Sequence, residues 1–129
     1  MTTLSDFQKG YVSGMIDGEG CLQLVPKGRY MPWVDITTTD EHTVDFLVSL
    51  LKEFGAIKVP NATKHKPAFH CRINGAKHVY ALLLSVNLFT KSAQRQVVYE
   101  ACSMLLDFEP YNKARILEIY AKLRELNHR

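Results

Sequence analysis

The chain has 129 residues, 47% hydrophobic and 22% charged, the make-up of a single folded domain with a real core rather than a disordered chain. Its formal net charge of +3 permits a polyanionic partner without demanding one. Three scattered cysteines are too few for a disulfide framework, and neither a membrane-length apolar run nor a signal-peptide core follows Met1. A reducing compartment is expected, with no secretion and no membrane partner.

Ser5-Asp6-Phe7-Gln8 reads as a capping box, so a first helix is predicted over Asp6 to Asp17. Gly10 and Gly14 lie four residues apart on one face of it, with Ser13 beside them. A glycine costs about 1 kcal/mol in a helix interior, so this small face implies close approach of another helix. The helix must stop at Asp17-Gly18-Glu19-Gly20, where two glycines bracket an acid. A carboxylate there, beside the Gly18 backbone carbonyl, is a hard-oxygen site suited to Mg²⁺.

After Gly20 the period changes to two. Leu22 and Leu24 share one face of a first strand; Cys21, Gln23, Val25 and Lys27 share the other. Lys27-Gly28-Arg29-Tyr30 reads as a hairpin tip. A second strand from Trp33 to Thr39 places Val34 and Ile36 on the apolar side and Trp33, Asp35, Thr37 and Thr39 on the other. Asp40 caps a second helix with Val44, Leu47, Leu51 and Phe54 inward, and Gly55 ends it. Ile57 to Asn61 is a short strand, followed by a polar, basic loop through Pro67. A fourth strand alternates Phe69, Cys71 and Ile73 with His70 and Arg72. Asn74 is expected to cap a third helix, Thr90-Lys91-Ser92 to start a fourth, and Asn112 to cap a fifth.

The order is helix, two strands, helix, two strands, then helices. This is an α+β pattern with a four-stranded antiparallel sheet and helices on one face. The other face is polar and partly cationic, carrying Gln23, Val25, Lys27, Arg29, Tyr30, Trp33, Asp35, Thr37, Lys58, His70 and Arg72, with Lys64 and Lys66 in the loop after the third strand. A solvated sheet face would look similar. The recurrence in three strands, with cationic tips, suits a ribbon that enters a DNA major groove.

The stretch Val12-Ser13-Gly14-Met15-Ile16-Asp17-Gly18-Glu19-Gly20 resembles the signature of the LAGLIDADG homing endonucleases. Gly14, Ile16, Asp17 and Gly20 fit directly, and Glu19 fits as a carboxylate; Ser13 and Gly18 stand where the family usually or often has alanine. The resemblance extends over nearly the whole chain. It implies an αββαββα fold with a saddle-shaped sheet on double-stranded DNA. It further implies hydrolysis of both strands with Mg²⁺ or Mn²⁺, in a cytoplasmic (bacterial or phage) or organellar-matrix setting.

On that resemblance Glu19 is the metal ligand, with Gly18, and Asp17 is mainly structural. A helix C-terminus is an unfavourable place for an acid that serves structure alone. Lys91, in Leu88-Phe89-Thr90-Lys91-Ser92-Ala93-Gln94, resembles the segment carrying the family's active-site lysine, which would stabilise phosphate charge. Gln94 would support it one turn on. Thr39 and Asp40 end the second strand, where the family often has a glutamine that positions water; this sequence departs from that pattern, and Asp40 also serves as the helix cap. The histidines and cysteines show no paired zinc-ligand spacing, His65, His70 and Cys71 being the nearest cluster. Phosphate-loop, hydrolase-elbow and dinucleotide motifs are absent.

Only one signature is present, and no internal repeat supplies a second, so a duplex cut requires a homodimer. Gly10, Ser13, Gly14 and Asp17 are the expected two-fold interface; an internal helix–helix contact is the competing use of that face. A relative without cleavage, acting as an intron-RNA maturase or a DNA-binding regulator, is the alternative function. A plain interaction domain is a third, and it requires the signature match to be accidental.

Overall fold

The structure is a computed structural model that describes residues 4–61 and 67–128. Its elements are α1 (Asp6–Glu19), β1 (Gly20–Val25), β2 (Met31–Thr38), α2 (Glu41–Leu50), β3 (Ile57–Asn61), β4 (Ala68–Asn74), α3 (Ala76–Ser85), α4 (Ser92–Leu105) and α5 (Lys113–Asn127). The four strands form one antiparallel sheet in the order β1-β2-β4-β3. The expected α+β order is the observed one.

Local chemistry explains most boundaries. The Ser5 Oγ accepts from the Gln8 N–H while the Gln8 side chain accepts from the Ser5 N–H, closing the capping box of α1. Asp40 and Asn112 cap α2 and α5 through the N–H groups of His42 and Arg115. Asn74 does not cap α3. It is the last residue of β4, and α3 instead starts after Gly75 at φ 94, a left-handed value that suits glycine. After α2 the chain tightens into a 3₁₀ turn over Lys52–Phe54 and ends at Gly55 in the left-handed conformation.

Strand alternation decides the layers. Leu22 and Leu24 from β1, Val34 and Ile36 from β2, and Cys71 and Ile73 from β4 are all buried on one side of the sheet. Against them pack Val12 and Ile16 of α1, Val44 and Leu47 of α2, Leu82 and Leu83 of α3, Val98 of α4, and Ile116 and Leu123 of α5. Burial pushes the thiols of Cys71 and Cys102 up to about 12, so both stay protonated and behave as small core hydrophobes. Cys71 faces the core and His70 the opposite side, so they cannot ligate one ion together.

Polar ties fasten the helices to one another. Arg95 donates from Nε and Nη2 to the Leu83 carbonyl in the last turn of α3, and Arg115 makes a two-pronged bond to Glu100 between α5 and α4. The Asn127 amide donates to the Leu22 carbonyl, so α5 covers the outer edge of β1. Among the described residues no helix is long and apolar enough to cross a membrane.

α1 runs two residues beyond the expected end, so Glu19 occupies its last turn and Gly20 both caps it and opens β1. Gly20 donates its N–H to the Ile16 carbonyl, and a Cβ built on Gly20 would lie 2.6 Å from that oxygen. Gly20→Ala should therefore destabilise the chain by roughly 1–3 kcal/mol through forced backbone movement. Denaturant unfolding of the two proteins measures this, and an unchanged midpoint would show that the helix–strand junction relaxes freely.

Candidate functional site

The end of α1 is tied to the segment between α3 and α4. The Asp17 carboxylate accepts the backbone N–H of Phe89 at 2.8 Å and that of Lys91 at 3.1 Å. In return the Lys91 ammonium reaches the Asp17 carbonyl at 2.5 Å. α1 has no basic residue in its own last turn, so Lys91 supplies from another element the cation that a helix C-terminus favours. One turn up, the Ser13 hydroxyl donates to the Lys9 carbonyl and accepts from the Asn87 N–H. Asp17 thus has the structural role expected of it.

Two residues after Asp17, Glu19 is exposed and has no hydrogen-bond or ion-pair partner among the described residues. Beside it a cleft is lined by Gly20, Cys21, Thr90, Lys91, Gln94 and Asn127. The structure therefore brings Lys91 and Gln94, over seventy positions later in sequence, to the end of the signature helix. Thr39 does not join them by any recorded contact; it lies exposed in the bend between β2 and α2. Among the described residues no three His, Cys, Asp or Glu side chains are placed to hold a metal ion together.

Gly10, Gly14 and Gly18 form an open row along α1. No atom lies within 4 Å of a Cβ built on any of them. No internal helix among the described residues packs on Gly10 or Gly14. Ser13 and Asp17 turn sideways from the row to hold the 87–91 segment. Phe7 and Phe89, 84% and 86% exposed, flank the row and were not anticipated from sequence. Their signal was only that neither falls on an apolar stripe.

On the polar sheet face the register aligns Asp35 with Arg72 and Thr37 with His70. Arg72 Nη2 donates to Asp35 Oδ2 at 3.2 Å, and its guanidinium lies 4.1 Å above the Trp33 ring. His70 Nδ1 sits 3.1 Å from both Asp35 Oδ1 and Thr37 Oγ1. Gln23, across from Trp33 on β1, is exposed. Buried yet unpaired atoms at this centre are Trp33 Nε1, Arg72 Nε and Asn74 Oδ1. Val25 is half-buried at the end of β1, and Lys27 is exposed in the turn.

Three expectations need correction. Lys58 is aligned with Cys71, not with His70 or Arg72, so it points to the helix side. There its ammonium meets Glu41 at 2.6 Å and Asp45 at 2.9 Å, and those bonds raise its pKa. In its place β3 puts Ile57 and Val59 on the polar face. Arg29 lies 3.9 Å over the Tyr111 ring, and Tyr30 packs beside Tyr120 of α5, so the β1–β2 tip leans towards the α5 end. Lys64 and Lys66 lie outside the described residues.

A saddle sheet with a free polar face, helices behind it and a carboxylate at the foot of a glycine-rich helix defines a LAGLIDADG-type fold. A family model for the LAGLIDADG-like domain matches residues 6–87, and the chain belongs to that family. Its fold is similar to that of an archaeal intron-encoded homing endonuclease, I-Vdi141I, complexed with DNA: TM-score 0.74, 17% identity, 94% of this chain and 84% of that one. It is also similar to the homing endonuclease I-CvuI in complex with a DNA target in the presence of Mg, at TM-score 0.68, 14% identity, 90% and 79% coverage. A third similar structure is the homing endonuclease I-TnaI, at TM-score 0.61, 20% identity, 92% and 94% coverage. A comparison with curated proteins found no match.

Removing the Asp17 carboxylate strands two backbone N–H groups. Asp17→Ala should lower unfolding stability by roughly 2 kcal/mol even in metal-free buffer. A loss of stability only when metal is present would instead make Asp17 a ligand.

Proposed function

We propose that this chain is one half of a homodimeric, divalent-metal-dependent endonuclease that cuts both strands of a long pseudo-palindromic DNA site. The observation that carries this reading is Glu19: an exposed carboxylate at the end of α1, without a partner among the described residues, next to an anchored Lys91 and at the foot of an unfilled glycine row. A carboxylate at a helix C-terminus is electrostatically disfavoured unless a cation offsets it. Its oxygens, with the Gly18 carbonyl, match the hard donors that Mg²⁺ or Mn²⁺ takes. One chain supplies too few of them, and a second copy meeting the first along Gly10 and Gly14 would contribute its own Glu19.

A bound divalent ion would polarise phosphate oxygens and raise the acidity of a water. The remaining tasks fall to the chain itself. Asp17 fixes the backbone at Phe89 and Lys91, so Lys91 is held at the cleft rather than searching for it. The Lys91 ammonium stabilises charge developing on the phosphate, and the Gln94 side chain lies beside it to orient solvent. The polar sheet face, with Gln23, Lys27, Trp33, Thr37, His70 and Arg72, would lie in the major groove. Intron RNA remains a partner under the alternative of a relative that binds without cutting.

Incubation with the DNA flanking the gene and Mg²⁺ should yield double-strand cleavage. Glu19→Gln should abolish it while leaving DNA binding intact; full activity in that variant would remove Glu19 from the site. Lys91→Ala should slow cleavage about a hundredfold or more with little change in affinity. A Cβ at Gly14 meets nothing within 4 Å in the single chain, so Gly14→Leu should leave each subunit folded yet lose cleavage. A Gly14→Leu protein that still cuts both strands would separate the glycine row from function. Binding without cleavage by the wild type would select the maturase or regulator reading.

A further inference from the structure

The centre of the polar sheet face holds a wired unit of side chains rather than a set of independent ones. His70 Nδ1 faces two oxygens, Asp35 Oδ1 and Thr37 Oγ1, each at 3.1 Å. The Asp35 and His70 side chains are only 14% and 17% exposed, so this contact is sheltered. Arg72 holds the other carboxylate oxygen, and the Trp33 ring lies beneath the Arg72 guanidinium. No partner among the described residues meets His70 Nε2.

A carboxylate oxygen only accepts, so a bare Nδ1 lone pair at 3.1 Å from it would be repelled. A proton on Nδ1 satisfies Asp35 and Thr37 together. In the neutral ring the second nitrogen is then an acceptor. We propose that Asp35 is a positioning residue for base recognition: it fixes the His70 tautomer so that Nε2 accepts a hydrogen bond from a base carrying an amino group in the major groove. Adenine N6 and cytosine N4 are the two such groups. The inference rests on the proposed DNA-binding reading and deepens it, since it assigns a base class to one residue.

The surroundings fit this role. The register pairs His70 with Thr37 on β2 and Val59 on β3, so the ring sits between a hydroxyl and an apolar side chain. Asp35 and Arg72 are the charged groups recorded in its network, and Lys58 with its acidic partners is on the opposite face. Asp35, a negative charge on a surface meant for a polyanion, would by itself weaken binding. Its use in orienting two readers is a physical reason for its presence.

Selection from a randomised duplex library by the full chain, in EDTA so that no cleavage intervenes, tests the proposal. The wild type should enrich adenine or cytosine at one position of each half-site, by roughly tenfold. His70→Ala should flatten that position alone. Asp35→Asn offers an amide N–H to Nδ1 and allows the ring proton to move to Nε2. It should lose the preference or reverse it towards the acceptor edges of guanine or thymine. His70→Gln, which keeps the bulk and presents both a donor and an acceptor, should broaden the same position. An unchanged profile in His70→Ala or Asp35→Asn, or a uniform loss across all positions, would overturn the tautomer assignment while leaving DNA binding in place. Failure of the wild type to enrich any duplex would overturn the underlying reading instead.

Discussion

The contact on which the site depends is the reciprocal bond between the end of α1 and the segment leading into α4. Asp17 gives its carboxylate to two backbone N–H groups, and Lys91 returns its ammonium to the Asp17 carbonyl. Each half solves the other's problem. The N–H groups of a loop need acceptors, and the last carbonyls of a helix need donors. The same bonds hold Lys91 at a cleft beside Glu19, so one local satisfaction of polar groups builds the chemical neighbourhood. Glu19, two residues on, takes no part in this exchange.

The rest of the fold divides into a packed half and an open half. Every helix buries its stripe against one side of the sheet, which leaves the other side, with Asp35, His70 and Arg72, free to meet a ligand. On α1, Val12 and Ile16 are inside, while Gly10, Gly14 and Gly18 face open space. Three glycines in a helix cost stability that the single chain does not recover. Under the proposed dimer, pairing two such helices about a two-fold axis would cover these glycines and bring two copies of Glu19 to one end of the pair.

Much of this was legible in the sequence because it is periodic or local. Alternation separated Leu22, Val34 and Ile73 from Gln23, Asp35 and Arg72 without error, and the capping residues Ser5, Asp40 and Asn112 marked helix starts. Asn74 failed locally, since β4 runs on through it and Gly75 makes the turn into α3; the other failures depend on partners distant in sequence. Lys58 sits in a five-residue strand with no clear alternation, so only its pairing with Cys71 shows that it points to α2. Tyr30 reads as a loop tip until α5 folds back beside it. The Asp17–Lys91 tie spans 74 positions, and nothing near either residue announces it. Resemblance to a family pointed to Lys91; the geometry shows what ties it to the end of α1.

Sedimentation equilibrium of the wild-type chain at micromolar concentration, with and without duplex DNA, tests the pairing most directly. A homodimer has a mass twice the 14.7 kDa of one chain, and that is the expected species. A species of 14.7 kDa under both conditions would contradict it, because a single chain then leaves the glycine row uncovered and offers one Glu19 for two strands.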